Sequence, residues 1–385
     1  MKVKYIKLKK IATYPTGKLN SNAAEKDGIY PFFTCSHDIY RINNYAYDGE
    51  YVLLGGNNAT GDFPIFYYNG KFNAYQRTYL IQPIDTNQFD TRYLFYSIGL
   101  KLKLMQSNAA GTATRFLTQP ILDNINIEYR PLPIQQKIAS ILSAYDNLIQ
   151  NYKKQIEALQ TAASELYKEW FVRFRFLGYQ TTKFENGIPE GWKVERIGTL
   201  YDSTSGGTPS REHEEYFQNG TYPWIKTGEL KDCPIIETEE AITDEAIKHS
   251  SAKLFEKDSL IIAMYGATIG QLGINKMKAT CNQACCVLRP KKDKAFGIYY
   301  LFHFFKENRE FIIGLGNGAA QQNLSQVLIN KLKIVNPNKE ILEIFEEKES
   351  MFFEKIYHLQ QQITNLTQQR DLLLPRLMSG KLEVK

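Results

Sequence analysis

Hydrophobic residues along this chain follow two kinds of pattern. Over two long stretches they recur in alternating steps of four and three. One set is Tyr145, Ile149, Tyr152, Ile156, Leu159, Ala163, Leu166 and Trp170; the other is Phe352, Ile356, Leu359, Ile363, Leu366, Arg370, Leu373 and Leu377. Such steps track one face of an α-helix, so each stretch predicts a long amphipathic helix. Every position of the second set is the first advanced by 207. Two unrelated helices would rarely share both phase and length, and the coincidence predicts an internal duplication.

The flanks extend the repeat. Leu117-Thr118-Gln119 precedes Leu324-Ser325-Gln326 by the same interval, and Ile125-Asn126-Ile127 precedes Leu332-Lys333-Ile334. Each flank leads to proline, Pro131 and Pro133 in one copy and Pro337 in the other. Proline opens a helix without loss, because an N–H there has no partner in the ladder. The order is globule, helix, globule, helix, with the polar, glycine-ended residues 177–187 as a linker.

A helix over residues 133–170 would be roughly 55 Å long at 1.5 Å per residue. That outruns one globule of this size, so part of its stripe needs an outside partner. Each large side chain left exposed would forfeit about 1.5–3 kcal/mol. The other helix is the obvious partner, and a duplicated chain suggests a pseudo-two-fold with the helices antiparallel. Arg370 interrupts the second stripe, and Pro375 is expected to kink or end that helix.

Between the helices the pattern shortens. Residues 51–54 and 79–81 read as strands in the first globule, and 260–263 and 285–288 in the second. Turn residues are dense around them: Gly55-Gly56-Asn57-Asn58, Asn69-Gly70, Gly206-Gly207-Thr208-Pro209 and Asn219-Gly220. Both globules are expected to be mixed α/β. Their loops carry Tyr, Asn, Gln, Thr, Lys and Arg, which can donate to phosphate oxygens and base edges, although each such loop also serves as an ordinary turn.

Composition narrows the choices. With 385 residues, 43% of them hydrophobic, the chain can build two or three cores and is too apolar for disorder. No run of 18 apolar residues exists, so no membrane span is expected, and the first ten residues lack a signal-peptide core. Cys35, Cys233, Cys281, Cys285 and Cys286 show no paired CxxC spacing, which fits free thiols in a reducing cytoplasm. The net charge of +6 permits a polyanion partner without requiring one.

Catalytic signatures are missing. His37 and His303 have no triad spacing around them, and Cys281-x3-Cys285-Cys286 lacks histidine partners for a metal. Gly314-Leu315-Gly316-Asn317-Gly318 does not follow a strand in a βαβ unit, and Thr16-Gly17-Lys18 is followed by Leu19 rather than Ser or Thr. The adenine-methyltransferase pattern fails at Asn336-Pro337-Asn338-Lys339. Two paralogous lobes without chemistry describe a recognition device. A coiled-coil scaffold that binds proteins and a self-contained DNA methyltransferase remain as alternatives.

The chain also resembles the specificity subunits of type I restriction-modification enzymes over essentially its full length. Pro131-Leu132-Pro133-Ile134-Gln135-Gln136-Lys137-Ile138-Ala139 is similar to that family's segment leading into its first conserved helix, and Gly187-Ile188-Pro189-Glu190-Gly191-Trp192-Lys193 to its domain opening. Trp224-Ile225-Lys226-Thr227-Gly228-Glu229, Met264-Tyr265-Gly266-Ala267-Thr268-Ile269-Gly270 and Asn282-Gln283-Ala284 follow its pattern. So do Gln321-Gln322-Asn323-Leu324 and Leu374-Pro375-Arg376-Leu377-Met378-Ser379-Gly380. The first half departs from it, with Arg115-Phe116-Leu117 where the second has Gln322-Asn323-Leu324.

The resemblance implies an α+β chain: two globular α/β target recognition domains separated by two long antiparallel coiled-coil helices, as a pseudo-two-fold repeat. The expected divisions are 1–130 and 188–336 for the domains, 131–176 and 337–380 for the helices, and 177–187 for the linker. It implies a non-catalytic subunit reading an asymmetric bipartite site in double-stranded DNA, with no membrane role. Two modification subunits would supply S-adenosylmethionine and N6-adenine methylation. Two restriction subunits would supply ATP- and Mg-dependent translocation and cleavage, and this chain itself would bind no cofactor or metal. A strut of roughly 55 Å suits lobes docking about one to one and a half DNA turns apart. Candidate DNA contacts are Ser36, His37, Asn57, Asn58, Arg77 and Arg115 in the first lobe. In the second they are Thr208, Ser210, Arg211, Lys226, Thr227 and Tyr265.

Overall fold

A computed structural model of the chain describes residues 4–58, 61–108, 116–292, 297–316 and 323–384. It divides into two compact units, Met1–Gln150 with Asn365–Lys385, and Asn151–Thr364. Arg115 lies outside the described residues.

The first unit is built on a six-stranded sheet in the order Ala12–Thr13, Thr78–Pro83, Tyr47–Gly55, Ile65–Ala74, Tyr30–Phe33, Tyr40–Ile42. Its pairs are antiparallel except Tyr30–Phe33, which runs parallel to Ile65–Ala74. Side chains alternate between faces with the period of two that a strand imposes. Val52, Leu54 and Ile81 pack with Tyr93, Leu94 and Ile98 of the helix Thr91–Asn108, whereas Leu53, Phe33, Phe72 and Leu80 form a second cluster on the opposite face. Apart from this sheet, Tyr5–Lys7 pairs with Asn126–Glu128.

The second unit repeats the plan with different residues. Its five-stranded sheet runs Tyr201–Ser205, Cys285–Pro290, Leu260–Ala263, Leu272–Asn275, Cys233–Ile235. The last strand is parallel to its neighbour, as Tyr30–Phe33 is in the first unit. Leu260 and Ile262 belong to one core cluster, Ile261 and Ala263 to another, so the central strand is buried on both faces. Lys193–Arg196 pairs with Lys333–Asn336, the counterpart of the small pair in the first unit. A three-stranded sheet of Ala241–Ile242, Tyr222–Ile225 and Thr280–Cys281 is an elaboration of this unit. Cys281, Cys285 and Cys286 are fully buried.

The two long helices are Leu132–Tyr167, continued by a π-turn over Lys168–Val172, and Lys339–Met378. Within the first unit Ile138 and Leu142 share a cluster with Leu374, Leu377 and Met378, and Asp146 pairs with Arg370 at 2.6 Å. Within the second, the Tyr167 and Trp170 rings lie 6.3 and 6.0 Å from Phe345. In the first unit Arg130, just before the first helix, meets Met378 and Asp146 meets Arg370, so rising numbers on one side meet falling numbers on the other and the pairing is antiparallel.

Stripe residues divide by depth. Ile149, Ala163 and Trp170 on the first helix and Ile356, Leu359 and Leu377 on the second are buried. Tyr145, Tyr152, Ile156, Leu159 and Leu166 are half-buried, as are Phe352, Ile363, Leu366 and Leu373. Phe353 and Leu374, one place further along, are the deeply buried neighbours of Phe352 and Leu373, because they belong to the lobe cores. Phe353 packs on Tyr299 and Phe302 at 4.6 and 5.1 Å. The second helix does not stop at Pro375 but runs to Met378. So close to the helix end, the proline forfeits a single ladder bond.

Residues 177–187 contain a short turn of 3-10 helix and half of a hairpin, Phe184–Glu185 with Ile188–Pro189. Its corner, Asn186 and Gly187, has both φ angles positive, 52° and 84°, as a type I′ turn requires.

Candidate nucleic-acid interface

In the first lobe the topology gathers most of the sequence-derived candidates at one end of the sheet. Ser36 and His37 follow the strand Tyr30–Phe33, Asn57 and Asn58 follow Tyr47–Gly55, and Arg77 sits in the turn before Thr78–Pro83. Backbone contacts tie these loops together: Gly56 N donates to Arg77 O at 2.8 Å, and the Cys35 thiol approaches the same carbonyl at 3.6 Å. Burial pushes that thiol's pKa up. Glycine is required at position 56, where a Cβ would stand 2.8 Å from Arg77 O and 2.9 Å from the Tyr79 ring. Asn57 bridges to Phe116, and Leu117 N donates to Gly56 O at 2.9 Å. Ser36 Oγ accepts from Asp38 N at 3.1 Å, and exposed His37 contacts Asp62 at 3.1 Å. Asn58 O accepts from Gly61 N at 3.3 Å, and Arg77 is exposed.

The second lobe places its candidates in three groups. Gly206 N donates to Cys285 O and Gly207 N to Cys281 O, so the turn that carries exposed Thr208 and Ser210 is seated on the buried thiol strand. A Cβ on Gly207 would meet Ser251 O at 2.2 Å, which is why only glycine fits. Trp224 Nε1 then donates to Gly207 O at 3.1 Å. Tyr265 stands on a separate loop whose Met264 N donates to Ala284 O at 2.8 Å. It holds the place after the central strand that Asn57 holds in the first lobe.

Arg211 and Lys226 are brought together, and the group joining them is one the sequence did not single out. The Glu240 carboxylate takes Arg211 Nη1 at 2.7 Å and Nη2 at 3.1 Å, and Lys226 Nζ at 3.1 Å. Glu239 takes Lys226 Nζ at 2.6 Å. The Arg211 guanidinium lies 4.1 Å from the Phe217 ring and 5.4 Å from that of Trp224, both within cation–π range. Hydrogen bonds to Glu239 and then Glu240 raise the Lys226 pKa, the bond to Glu240 raises that of Arg211, and the Arg211 bond lowers that of Glu240. Thr227 is half-buried in the short turn Thr227–Glu229, whose Glu229 accepts from Lys226 N at 2.7 Å. No local pattern marks residue 240; the pairing of Tyr222–Ile225 with Ala241–Ile242 puts it beside 226, and the loop after Tyr201–Ser205 brings 211 to both.

Among the described residues no group of three or more His, Cys, Asp and Glu side chains is arranged to hold a metal ion. No described helix is long and apolar enough to cross a membrane.

Comparison with known proteins agrees with this doubled architecture. A family model for the type I restriction modification DNA specificity domain matches twice, over residues 2–161 and 189–370. The MjaIX specificity subunit of Methanocaldococcus jannaschii, a type I restriction enzyme component, is 30% identical over 305 residues, covering 77% of this chain and 70% of that one. The EcoDI specificity subunit of Escherichia coli is 35% identical over 226 residues, 52% of this chain and 49% of its own. The crystal structure of a type I restriction-modification S subunit from M. genitalium has the same fold, with a TM-score of 0.66 at 15% identity over 98% of this chain and 96% of that one. The chain carries two copies of the type I restriction-modification DNA specificity domain and belongs to that family.

Proposed function

We propose that this chain is the address-reading subunit of a type I restriction-modification enzyme, a non-catalytic protein whose lobes, residues 1–130 and 188–336, each read one half of a bipartite target in double-stranded DNA. The observation that carries this reading is the duplication of scaffold with divergence of loops. Five strands of each sheet share order and sense, while the loop ends hold Ser36, His37, Asn57 and Arg77 in one lobe and Thr208, Ser210, Arg211 and Lys226 in the other. Equal scaffolds with unequal loops suit two related but different half-sites, and so an asymmetric target. Lysine and arginine set register on phosphates, and loop side chains read base edges in the major groove.

The chemistry belongs to partners. Two modification subunits, bound on the long helices, would bring S-adenosylmethionine and methylate adenine at N6. Two restriction subunits would add ATP- and Mg-driven translocation and cleavage. Methylation requires the target adenine to leave the stack, which suits a clamp that holds the duplex at two points.

The test is binding and methyl transfer with and without a modification partner. The assembled complex is expected to prefer its target over unrelated duplex in added salt, while the chain alone transfers no methyl group. Methyl transfer by the isolated chain, or a complex without DNA selectivity, would overturn the reading.

A further inference from the structure

The second lobe's two best-placed cations are already engaged. Both terminal nitrogens of Arg211 point at Glu240, and Lys226 is shared between Glu240 and Glu239. End-on bidentate recognition of guanine or of a phosphate uses the same two guanidinium nitrogens. Arg211 therefore cannot make that contact and keep Glu240. The backbone that carries the carboxylates is itself well anchored: the Glu240 carbonyl accepts from Trp224 N at 3.0 Å and from Thr238 Oγ1 at 2.7 Å, and Glu239 N donates to Glu229 at 2.7 Å. Aromatic rings back the guanidinium, so it is held flat and ready rather than swinging in solvent.

We propose that Glu240 is a specificity-tuning positioning residue, which holds Arg211 and Lys226 in an internal ion-pair network that DNA must displace. This rests on the DNA-reading function above. Two cations and two carboxylates cancel, so the cluster gives passing duplex little of the phosphate attraction that drives non-specific binding. A duplex that offers one phosphate contact at the wrong register loses the internal bonds without replacing them. A cognate duplex aligns acceptors for the Arg211 fork and for Lys226 together, and the exchange becomes favourable. Glu240 thus works by suppressing the wrong complex, the repulsive half of specificity.

Glu240→Gln tests this in the complex with the modification partner, on cognate duplex defined by methylation mapping and on scrambled duplex. The variant keeps the side-chain shape and removes the charge. Its affinity for scrambled duplex is expected to rise about tenfold. The slope of log affinity against log salt should steepen by about one to two, roughly 0.9 per cation released to phosphate. Cognate affinity should change less, so selectivity falls. Adding Arg211→Ala to the variant should return scrambled-duplex binding toward the wild-type level. Glu239→Gln, at an exposed side chain touching Lys226 alone, should move the same way by about two- to threefold and needs no rearrangement of the fold. Unchanged scrambled-duplex affinity and salt slope in both glutamine variants, or equal weakening on both duplexes, would overturn the proposal. A wild-type complex that shows no preference for its cognate duplex would instead reject the functional reading beneath it.

Discussion

Tyr93 and Tyr300 make the same hydrogen bond in two different places. Tyr93 donates its hydroxyl to Glu128 O at 2.8 Å, and Tyr300 donates to Val335 O at 2.5 Å; each spans 35 residues. Donors and acceptors are both 207 positions apart, the interval of the helical stripes. Leu8 N to Ile125 O, 2.8 Å, and Ile197 N to Leu332 O, 2.9 Å, form a similar pair, with acceptors 207 positions apart although the donors are 189 apart. The duplication therefore extends from the helices into the hydrogen bonds that lock each lobe to its strand pair, where a buried tyrosine hydroxyl must find an acceptor.

The interrupted stripe should prove stabilising at its interruption. Arg370 reaches Asp146 at 2.6 Å, and Asp146 also accepts from Tyr96 at 2.5 Å. The two ionic side chains are 25% and 29% exposed, between a surface pair and a buried one. Arg370→Ala is expected to cost about 1–2 kcal/mol in denaturant unfolding, with Asp146→Asn added on top costing little more. Full additivity of the two changes would show that the residues do not act together.

A buried acid cluster sets the pH response. Glu349 is 0% exposed and its carboxylate lies 2.9 Å from His303 Nε2. Burial raises the Glu349 pKa to about 8 and that of Glu346 to about 7, against 4.5 for an ordinary glutamate. Between those limits the folded chain holds more protons than the unfolded one, so stability falls as pH rises. Burial lowers His303 to about 3 from 6.5, and its opposite contribution is complete above 6.5. Going from about pH 6.5 to about pH 8.5, wild type is expected to lose about 1–2 kcal/mol of stability, and Glu349→Gln clearly less. Equal losses would contradict this.

Two glycines should respond with opposite sign to alanine. A Cβ on Gly297 would fall 1.7 Å from the Glu346 carboxyl carbon, whose oxygens cap the helix Ile298–Glu307 through Tyr299 N and Tyr300 N at 3.2 and 2.7 Å. Gly297→Ala should cost about 2 kcal/mol or more. Gly314, inside the helix Arg309–Leu315, has nothing within 4 Å of its missing Cβ, and Gly314→Ala should gain up to about 1 kcal/mol. Thermal or urea unfolding of the two variants checks both signs.

What the sequence made legible was set by periodicity. Helical stripes repeat over many residues, so their register survived divergence and exposed the duplication. The repeated sheet order was harder, because Tyr47–Gly55 and Leu260–Ala263 share burial but almost no residues. The tyrosine pair had a signal that went unused: Tyr93-Leu94-Phe95 and Tyr300-Leu301-Phe302 are 207 apart. Stripe phase misjudged Phe352 against Phe353 because each helix half answers to its lobe as well as to the opposite helix. Among the candidate contacts, the glycine-bearing turns at Gly55-Gly56 and Gly206-Gly207 lie at strand ends in both sheets. Glu240 stayed invisible because its partners are 14 and 29 residues away and meet it only through tertiary folding, one beside a strand pair and one on a loop.

Helix length is expected to set the unread spacer. Seven residues inserted in phase between Ile149 and Leu159, within the uninterrupted helix Leu132–Tyr167, should lengthen the gap in the methylated target and leave both half-sites unchanged. A gap of unaltered length would remove the ruler.

The most direct measurement is modified-base sequencing of a host that carries this chain and its modification partner, before and after residues 188–336 are exchanged for the corresponding lobe of a relative. One half of the methylated sequence should change and the other half should stay as it was. Alteration of both halves together, or of neither, would contradict independent reading by the two lobes.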